Sequence, residues 1–273
     1  MNNDSLELID IKSMDEAQLQ AYFEQLGEKK FRASQVYQWL HQKLVTDFDQ
    51  MTNLPESLRK TLKENNLRIS SVLPAPGGGP GGNIASANVL EREWTKQYWK
   101  DCIDMGLEMD DCKTLLCVCG WYIYGTRKRD AWKWAMESIS EVAEYGAKNG
   151  VTLMLEPTAT DSNLVESCED AINMMEDIDM ENVKLMFDTT HALYRNEVPS
   201  DYVYLMNENL KHIHMADYNR KAPGTNGCDF VEIMQALKDI NYDGYITMEN
   251  GFESRSSHPF VVARQSLENL KAI

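Results

Sequence analysis

Four short apolar segments of this sequence end at side chains that can bind a metal ion. The segments LMLEP, KLMFDTTH, HIHMADYNR and YITMEN contain Glu156, Asp188, His214 and Glu249, respectively. A single acid after a strand is most often a loop residue or a helix N-cap, and Asp188 before Thr189 could simply cap a helix. Four such endings in succession favour a shared site over chance. Three carboxylates and one imidazole suit Mn²⁺, Mg²⁺ or Co²⁺ better than a structural zinc ion.

Three more side chains near these segments could bind a substrate. His191 lies three residues after Asp188, and Arg220 lies six residues after His214. Both could orient substrate hydroxyls or carbonyls beside a metal ion that acts as a Lewis acid. Trp121 follows the run TLLCVCG and could wall a substrate pocket, but plain core packing explains it equally well.

Other metal-competent residues have simpler explanations. His212 alternates with His214 along one predicted strand, so we expect one of them to face outward and His212 to be structural or solvated. The six cysteines form no CxxC pair, and the CVC at 117–119 lies in an apolar run, which indicates structural thiols. The N-terminus is acidic and has no apolar core of a signal peptide, so we expect a cytoplasmic protein.

A series of strands and helices must bring the four metal-competent residues together. From about residue 68, six apolar runs alternate with helical segments, which is typical of parallel βαβ units. A complete (β/α)8 barrel has eight units in about 250 residues and carries its site at the carboxyl ends of its strands. The sequence therefore predicts an α/β protein with a partial, six-unit TIM-type barrel. The runs lie at 69–74, 114–119, 151–155, 183–187, 211–215 and 244–248, with helices over 89–108, 128–149, 163–177, 200–209, 229–239 and 258–272.

Residues 1–67 follow a different, purely helical pattern. Apolar side chains recur at helical spacing in 14–27 and 31–45, and 54–66 has a proline near its start. We therefore predict two domains, a small all-α module over 1–67 and the partial barrel over 68–273. The run PAPGGGPGGN at 74–83 then follows the first barrel strand, so we expect it to rim the site rather than to link the domains.

Charge restricts the partners of the chain. Its 273 residues carry a net charge of −16, and most of the acidic excess lies after residue 67. An acidic surface argues against nucleic-acid binding by the second domain. No apolar run approaches the ~20 residues that a bilayer crossing needs, so no membrane partner is expected.

Residues 68–273 resemble the xylose-isomerase-like TIM barrels, and most closely the ketose 3-epimerases, without the first two βα units. The family's D-x-x-H motif matches Asp188 to His191, and its H-x5-R motif matches His214 to Arg220. Its PG…DF loop matches Pro223, Gly224, Asp229 and Phe230.

The resemblance implies a metal-dependent isomerase. Glu156, Asp188, His214 and Glu249 would hold the ion, Mn²⁺ first, with Mg²⁺ or Co²⁺ as alternatives. Glu156 and Glu249 would also form an acid–base pair that epimerises a ketose at C3 through a cis-enediolate. The substrate would be a small ketose or sugar phosphate, bound by His191, Arg220 and Trp121. An aldose–ketose isomerase would use a similar site.

The segment at 26–62 resembles a different family, the RlmN-type radical-SAM adenine-C2 methyltransferases, in their N-terminal helical accessory domain. The CxxxCxxC cluster motif of those enzymes is absent from the chain, which excludes their methyl transfer here. The sequence thus looks like a chimera.

The absence of the first two strands would leave a gap in the barrel wall. The helical module could fill this gap, a second chain in a homo-oligomer could complete it, or the barrel could remain poorly closed. Two alternatives to a weakened epimerase follow: a non-catalytic chimeric scaffold, or an RNA-binding module on a passenger barrel. RNA is the less expected partner because residues 1–67 are net acidic.

Overall fold

The structure, a computed structural model, describes two compact units of the chain. The units are Met1–Arg68 and Ile69–Ile273. None of the helices among the described residues combines the length and apolar character that a bilayer crossing needs. The described residues are 16–25, 28–29, 31–41, 69–74, 82–251 and 259–273.

The first unit contains two described helices that pack against each other, α1 (Glu16–Gln25) and α2 (Phe31–His41). Their contact is apolar because Leu19 and Phe23 of α1 lie four residues apart and both are fully buried. Ala33 and Val36 of α2 are buried in the same way. The predicted helices at 14–27 and 31–45 are thus confirmed where the chain is described, while the one at 54–66 lies outside the described residues.

The second unit is a five-stranded, fully parallel sheet in sequential order, β1-β2-β3-β4-β5, with helices between its strands. This arrangement confirms a partial β/α barrel. The strands are β1 (Thr114–Val118), β2 (Thr152–Glu156), β3 (Val183–Asp188), β4 (Leu210–Met215) and β5 (Tyr245–Met248). The helices are α3 (Val89–Asp110), α4 (Lys128–Lys148), α5 (Cys168–Ile178), α6 (Thr189–Tyr194), α7 (Pro199–Met206), α8 (Phe230–Asp239) and α9 (Pro259–Lys271).

The predicted strand at 69–74 is reduced to one parallel bridge between Val72 and Leu115. The Val72 N–H donates to the Thr114 carbonyl at 3.1 Å, and the Val72 carbonyl accepts from the Leu116 N–H at 2.9 Å. Pro74 has no N–H to continue this pairing, so the bridge stops. The glycine-rich run that follows falls largely on residues 75–81, so its expected place at the rim lies outside the described residues.

Two helix predictions differ from the structure for local reasons. The helix expected from residue 163 begins at Cys168, because the Ser167 hydroxyl accepts a hydrogen bond from the Asp170 N–H at 3.1 Å and so fixes the N-cap. Helix α6 was not among the predicted helical segments, although the sequence allowed Asp188 to cap a helix at this point. It begins directly after β3, where the Asp188 carboxylate caps it by accepting from the Thr190 N–H at 2.8 Å.

The two faces of the sheet carry different side chains. One face packs against the helices in the main hydrophobic core. The other holds a small apolar cluster of Leu116, Val118, Met154 and Met186. Because side chains on a strand alternate with a period of two, the next residues on this second face are Glu156 and Asp188. An apolar layer therefore lies directly beneath the acids at the strand ends.

Candidate active site

The four metal-competent residues lie at the carboxyl ends of four neighbouring strands. Glu156 and Asp188 are the last residues of β2 and β3, His214 is the penultimate residue of β4, and Glu249 follows β5. The strand register places Asp188 directly opposite His214. Glu156, Asp188 and His214 are buried, whereas the Glu249 side chain is 45% exposed. Glu249 therefore faces the open side of the site.

These side chains form two groups that share Asp188. In the first group, one ligand atom each from Glu156, Asp188 and His191 lie within 4.8 Å of one another. The second group joins Asp188 to His214 and Glu249 within the same limit. The structure thus brings His191, predicted as a substrate-binding residue, as close to Asp188 as the predicted ligands are.

Arg220 contacts both acids of the second group. Its Nη1 lies 2.9 Å from Glu249 Oε2 and contacts Asp188 Oδ2. The same Glu249 oxygen lies 2.8 Å from His214 Nδ1. One carboxylate oxygen therefore contacts both a guanidinium and an imidazole, and a negative charge on Glu249 is well stabilised.

Burial and mutual repulsion separate the acids in their proton affinity. Burial raises the pKa of Glu156 well above 4.5, and the nearby charges of Asp188 and Glu249 raise it further. Burial also raises the pKa of Asp188, with Arg220 opposing. Burial acts to raise the pKa of Glu249 too, but hydrogen bonds with His214 and Asp188 lower it overall. Glu156 thus tends to hold a proton while Glu249 stays ionised, as an acid–base pair requires.

His191 is 3% exposed and is held by the loop that follows β2. Its Nδ1 lies 3.0 Å from the Thr160 hydroxyl and accepts from the Thr160 N–H at 3.4 Å. Its Nε2 lies 3.6 Å from Asp161 Oδ2. Burial, together with the charge of Arg220, lowers the pKa of His191 to about 4, so the ring is neutral near pH 7.

Arg220 reaches the acids from a strained turn. Asn219 and Arg220 both have left-handed backbone conformations, with φ of 59° and 60°, which are uncommon outside glycine. The turn is fixed by Asp217, whose fully buried carboxylate accepts hydrogen bonds of 2.7 to 3.0 Å. The donors are the main-chain N–H groups of Tyr218, Thr225, Asn226 and Cys228. Asp217 therefore organises the loop that presents Arg220.

Trp121 and His212 are both held by hydrogen bonds to neighbouring residues. Trp121 is half-buried, and its main chain exchanges two hydrogen bonds with the Asn83 side chain, at 2.7 and 3.1 Å. The expectation that one of His212 and His214 faces outward is wrong, because residues two apart on a strand share a face. The His212 ring is buried, lies 5.1 Å from the His214 ring, and its Nε2 is 2.9 Å from the Thr247 hydroxyl.

The donor set suits a hard divalent cation. Carboxylate oxygens outnumber ring nitrogens in both groups, and no thiol takes part in either of these described clusters. The charges of Asp188 and Glu249 destabilise an ionised Glu156, and a cation between them would remove this destabilisation.

The contacts of Thr160 and Asp161 with His191 were not predicted from the sequence, because a TATD segment in a loop carries no periodic signal. Their position just after Glu156 was the available hint.

Comparison with known proteins gives two sets of relatives. A family model described as "Xylose isomerase-like TIM barrel" matches residues 23–273. The D-psicose 3-epimerase of Ruminiclostridium cellulolyticum is 27% identical over 244 residues, which cover 84% of this chain and 81% of that protein. A crystal structure of D-psicose 3-epimerase with D-tagatose from Clostridium cellulolyticum H10 superposes with a TM-score of 0.68 at 22% identity, covering 80% and 82% of the two chains. The likeness in structure supports the barrel fold.

The second set of relatives matches only a short segment of the chain, but at high sequence identity. The dual-specificity RNA methyltransferase RlmN of Marinobacter nauticus is 59% identical over 58 residues. That match covers 21% of this chain and only 16% of the methyltransferase. Two unrelated sets of relatives in one chain are consistent with the predicted chimera.

Proposed function

Because this chain belongs to the xylose isomerase-like TIM barrel family, we propose that it is a metal-dependent epimerase that inverts a ketose at C3. The observation that carries this proposal is the convergence of three acids and two histidines in two groups that share Asp188. Its 3-epimerase relatives match over most of the chain, which supports the reaction class. The site is proposed to lie wholly within a barrel domain over residues 68–273.

Glu156, Asp188, His214 and Glu249 would hold the metal ion, with Mn²⁺ as the first choice and Mg²⁺ or Co²⁺ as alternatives. When bound, the ion would polarise the carbonyl at C2 of the ketose and make the C3 proton more acidic. The ligand chemistry supports a hard ion, since oxygen donors dominate the set.

Glu156 and Glu249 would transfer the proton. An ionised Glu249 takes the proton from C3 while the C–H electron pair moves towards C2, giving a cis-enediolate. Glu156, on the opposite face of C3, would return a proton to that carbon, and the configuration at C3 is then inverted. In the reverse reaction the two carboxyl groups exchange roles.

His191 and Arg220 would orient the substrate, and Trp121 would wall the pocket. Arg220 already contacts Asp188 and Glu249, so its charge is largely matched by theirs. With Glu156 and Asp161 also nearby, the described residues of the site present more negative than positive charge. The +2 charge of a bound metal ion would offset this excess, so we propose a small ketose or a sugar phosphate as the substrate.

The test is a product assay with D-fructose, D-tagatose and D-ribulose, run in EDTA and after addition of Mn²⁺. We expect only the C3 epimer, only with metal, and loss of at least about a hundredfold in rate for Glu156→Gln or Glu249→Gln. Glu169→Gln, a change at an exposed acid on α5, is the matched control and should leave the rate unchanged. An aldose product would instead favour an aldose–ketose isomerase, and a rate unaffected by EDTA would contradict metal dependence.

The methyltransferase-like segment motivates a second candidate, an RNA-binding module carried on the barrel. Its support is the 58-residue match at 59% identity, which covers a small part of the methyltransferase. RNA retention that weakens steeply with salt would favour this candidate. If neither epimerisation nor RNA retention is observed, the chain is better regarded as a non-catalytic chimeric scaffold.

A further inference from the structure

We propose that Asp217 is a positioning residue, which fixes the main chain of Arg220 so that the guanidinium reaches the acids at the strand ends. The inference rests on the proposed function for the substrate that Arg220 would orient. The placement of Arg220 itself is a property of the protein alone.

The turn that carries Arg220 needs support from outside. Asn219 and Arg220 have φ of 59° and 60° in succession, and a residue such as arginine rarely adopts this left-handed conformation. The arginine side chain is also long and flexible, so holding it in one position lowers its entropy. Without further contacts the turn would relax and the guanidinium would occupy many positions.

Asp217 supplies such contacts with both oxygens of its fully buried carboxylate. Each oxygen accepts two main-chain hydrogen bonds: Oδ1 from Tyr218 at 2.8 Å and Cys228 at 3.0 Å, Oδ2 from Thr225 at 3.0 Å and Asn226 at 2.7 Å. The Asp217 N–H donates to the Lys221 carbonyl at 2.8 Å, so the turn is closed just after Arg220. An asparagine here has the same shape, but its NH2 group cannot accept, and two of the four bonds would be lost.

Gly251 holds Arg220 from the other side. Its N–H donates to the Arg220 carbonyl at 2.7 Å. A Cβ atom at position 251 would lie 3.0 Å from the Arg220 Cβ, so the two main chains are in close contact. Gly251 comes two residues after Glu249, and the contact therefore ties Arg220 to the end of β5.

This placement determines which atoms the guanidinium contacts. Arg220 Nη1 contacts Asp188 Oδ2 and lies 2.9 Å from Glu249 Oε2. The other Asp188 oxygen accepts from the Thr190 N–H at 2.8 Å, so this acid is itself held in place. The remaining N–H groups of Arg220 then point in a fixed direction, as an orienting group requires. Because the Asp217 carboxylate binds main-chain groups, its effect on a substrate would pass through Arg220.

The primary test is ¹⁵N NMR of the guanidinium groups in the full chain, recorded in EDTA. We expect separate signals for the two terminal nitrogens of Arg220 in the native protein, because the charged contacts at Nη1 slow rotation of the group. Arg220→Lys removes these signals and so assigns them. In Asp217→Asn the two signals should merge as the group becomes mobile.

Asp170→Asn is the matched control for the spectra. It alters a carboxylate that accepts a main-chain N–H, that of Glu166 at 3.1 Å, on helix α5. The Arg220 signals should not change in this variant. Merged signals in the native protein, or separate signals that persist in a folded Asp217→Asn variant, would overturn the proposal.

A double-mutant cycle tests whether Asp217 acts through Arg220. With the ketose that the enzyme accepts, Asp217→Asn should lower kcat/KM about tenfold, since an orienting group is displaced. In an Arg220→Met background the same change should lower kcat/KM less than about twofold. A general structural defect would give equal losses in both backgrounds, and that result would contradict the positioning role.

Gly251→Ala tests the placement while the Asp217 carboxylate stays intact. Gly251 does not have a left-handed φ, so alanine suits its backbone, but the new Cβ would displace Arg220 by a few tenths of an ångström. We expect kcat/KM to fall about threefold and the Arg220 signals to shift. If neither changes, the inference is wrong, even where Asp217→Asn fails to fold. If the spectra respond as expected in a chain without epimerase activity, the proposed function fails and this inference stands.

Discussion

Among single residues, Glu156 lowers the stability of the folded chain by an amount that depends on pH, because its carboxyl group is buried. Because its pKa is raised well above 4.5 in the folded chain, folded protein binds this proton more tightly than unfolded protein does. Stability should therefore fall as the pH rises above 4.5. Glutamine cannot ionise, so in EDTA the variant Glu156→Gln should melt at least about 3 °C higher than the native protein at pH 8, and at nearly the same temperature at pH 4.5.

Differential scanning calorimetry at both pH values measures this effect, with Glu169→Gln as the control for the loss of one exposed acid. A gain of equal size at both pH values would mean that glutamine simply packs better. With saturating Mn²⁺ the sign should reverse, because the native carboxylate then contributes to ion binding.

The chemistry of individual residues was readable where it coincided with a strand end. Glu156 and Asp188 close apolar runs, so their position at the rim follows from the direction of parallel strands. Thr160 and Asp161 lie in an irregular loop, where contacts depend on a fold that local sequence does not encode. His212 could have been placed correctly, because the two-residue period alone puts it on the same face as His214.

Between elements, a network of charges joins helices α3 and α4. Glu141 on α4 contacts Lys96 and lies 2.7 Å from the Nζ of Lys100, both on α3. Lys96 is 8% exposed, so removing its partner leaves a buried ammonium with Glu93 alone, at 2.9 Å. We expect Glu141→Gln to lower the free energy of unfolding by about 1 to 2 kcal/mol, at the low end for a buried pair because Glu141 is 45% exposed.

Urea denaturation at several pH values measures this contribution. Hydrogen bonds from Lys100 and Lys96 lower the pKa of Glu141, so its contribution is present above the ordinary pKa of 4.5 and is lost as the pH falls through the lowered value. The difference between native protein and variant should therefore shrink in acid. Glu144→Gln, at an exposed position of the same helix, should change stability by less than about 0.5 kcal/mol. A pH-independent difference would argue against the ion pair.

The elements themselves were largely predictable because their signals are periodic. Strands β1 to β5 lie within a residue or two of the apolar runs, since a buried parallel strand is apolar almost throughout. The run at 69–74 contains two serines and ends at Pro74, which limits its pairing to one bridge. Helix α6 is only six residues long and owes its start to the Asp188 cap, so no helical period could reveal it.

At the scale of the whole molecule, the two compact units need not share one function. The proposed site draws all its residues from Ile69–Ile273, while the first unit contributes a helical pair with its own small core. A partial barrel with its acids clustered at one rim concentrates negative charge in one unit. Any ligand that relieves this charge should therefore stabilise the second unit specifically.

Mn²⁺ is the ligand that tests this expectation. An ion at a hundred times its Kd adds about 2.7 kcal/mol to the unit that binds it, which corresponds to roughly 5 to 10 °C in Tm for a domain of about 200 residues. The double variant Glu156→Gln with Glu249→Gln should lose this shift, whereas Glu144→Gln with Glu169→Gln removes the same charge from exposed helix positions and should keep it. Calorimetry on the full chain would show whether the shift belongs to one transition or to all. A shift that survives in the first double variant would place the ion elsewhere, because only the acids at the strand ends are expected to supply its binding energy.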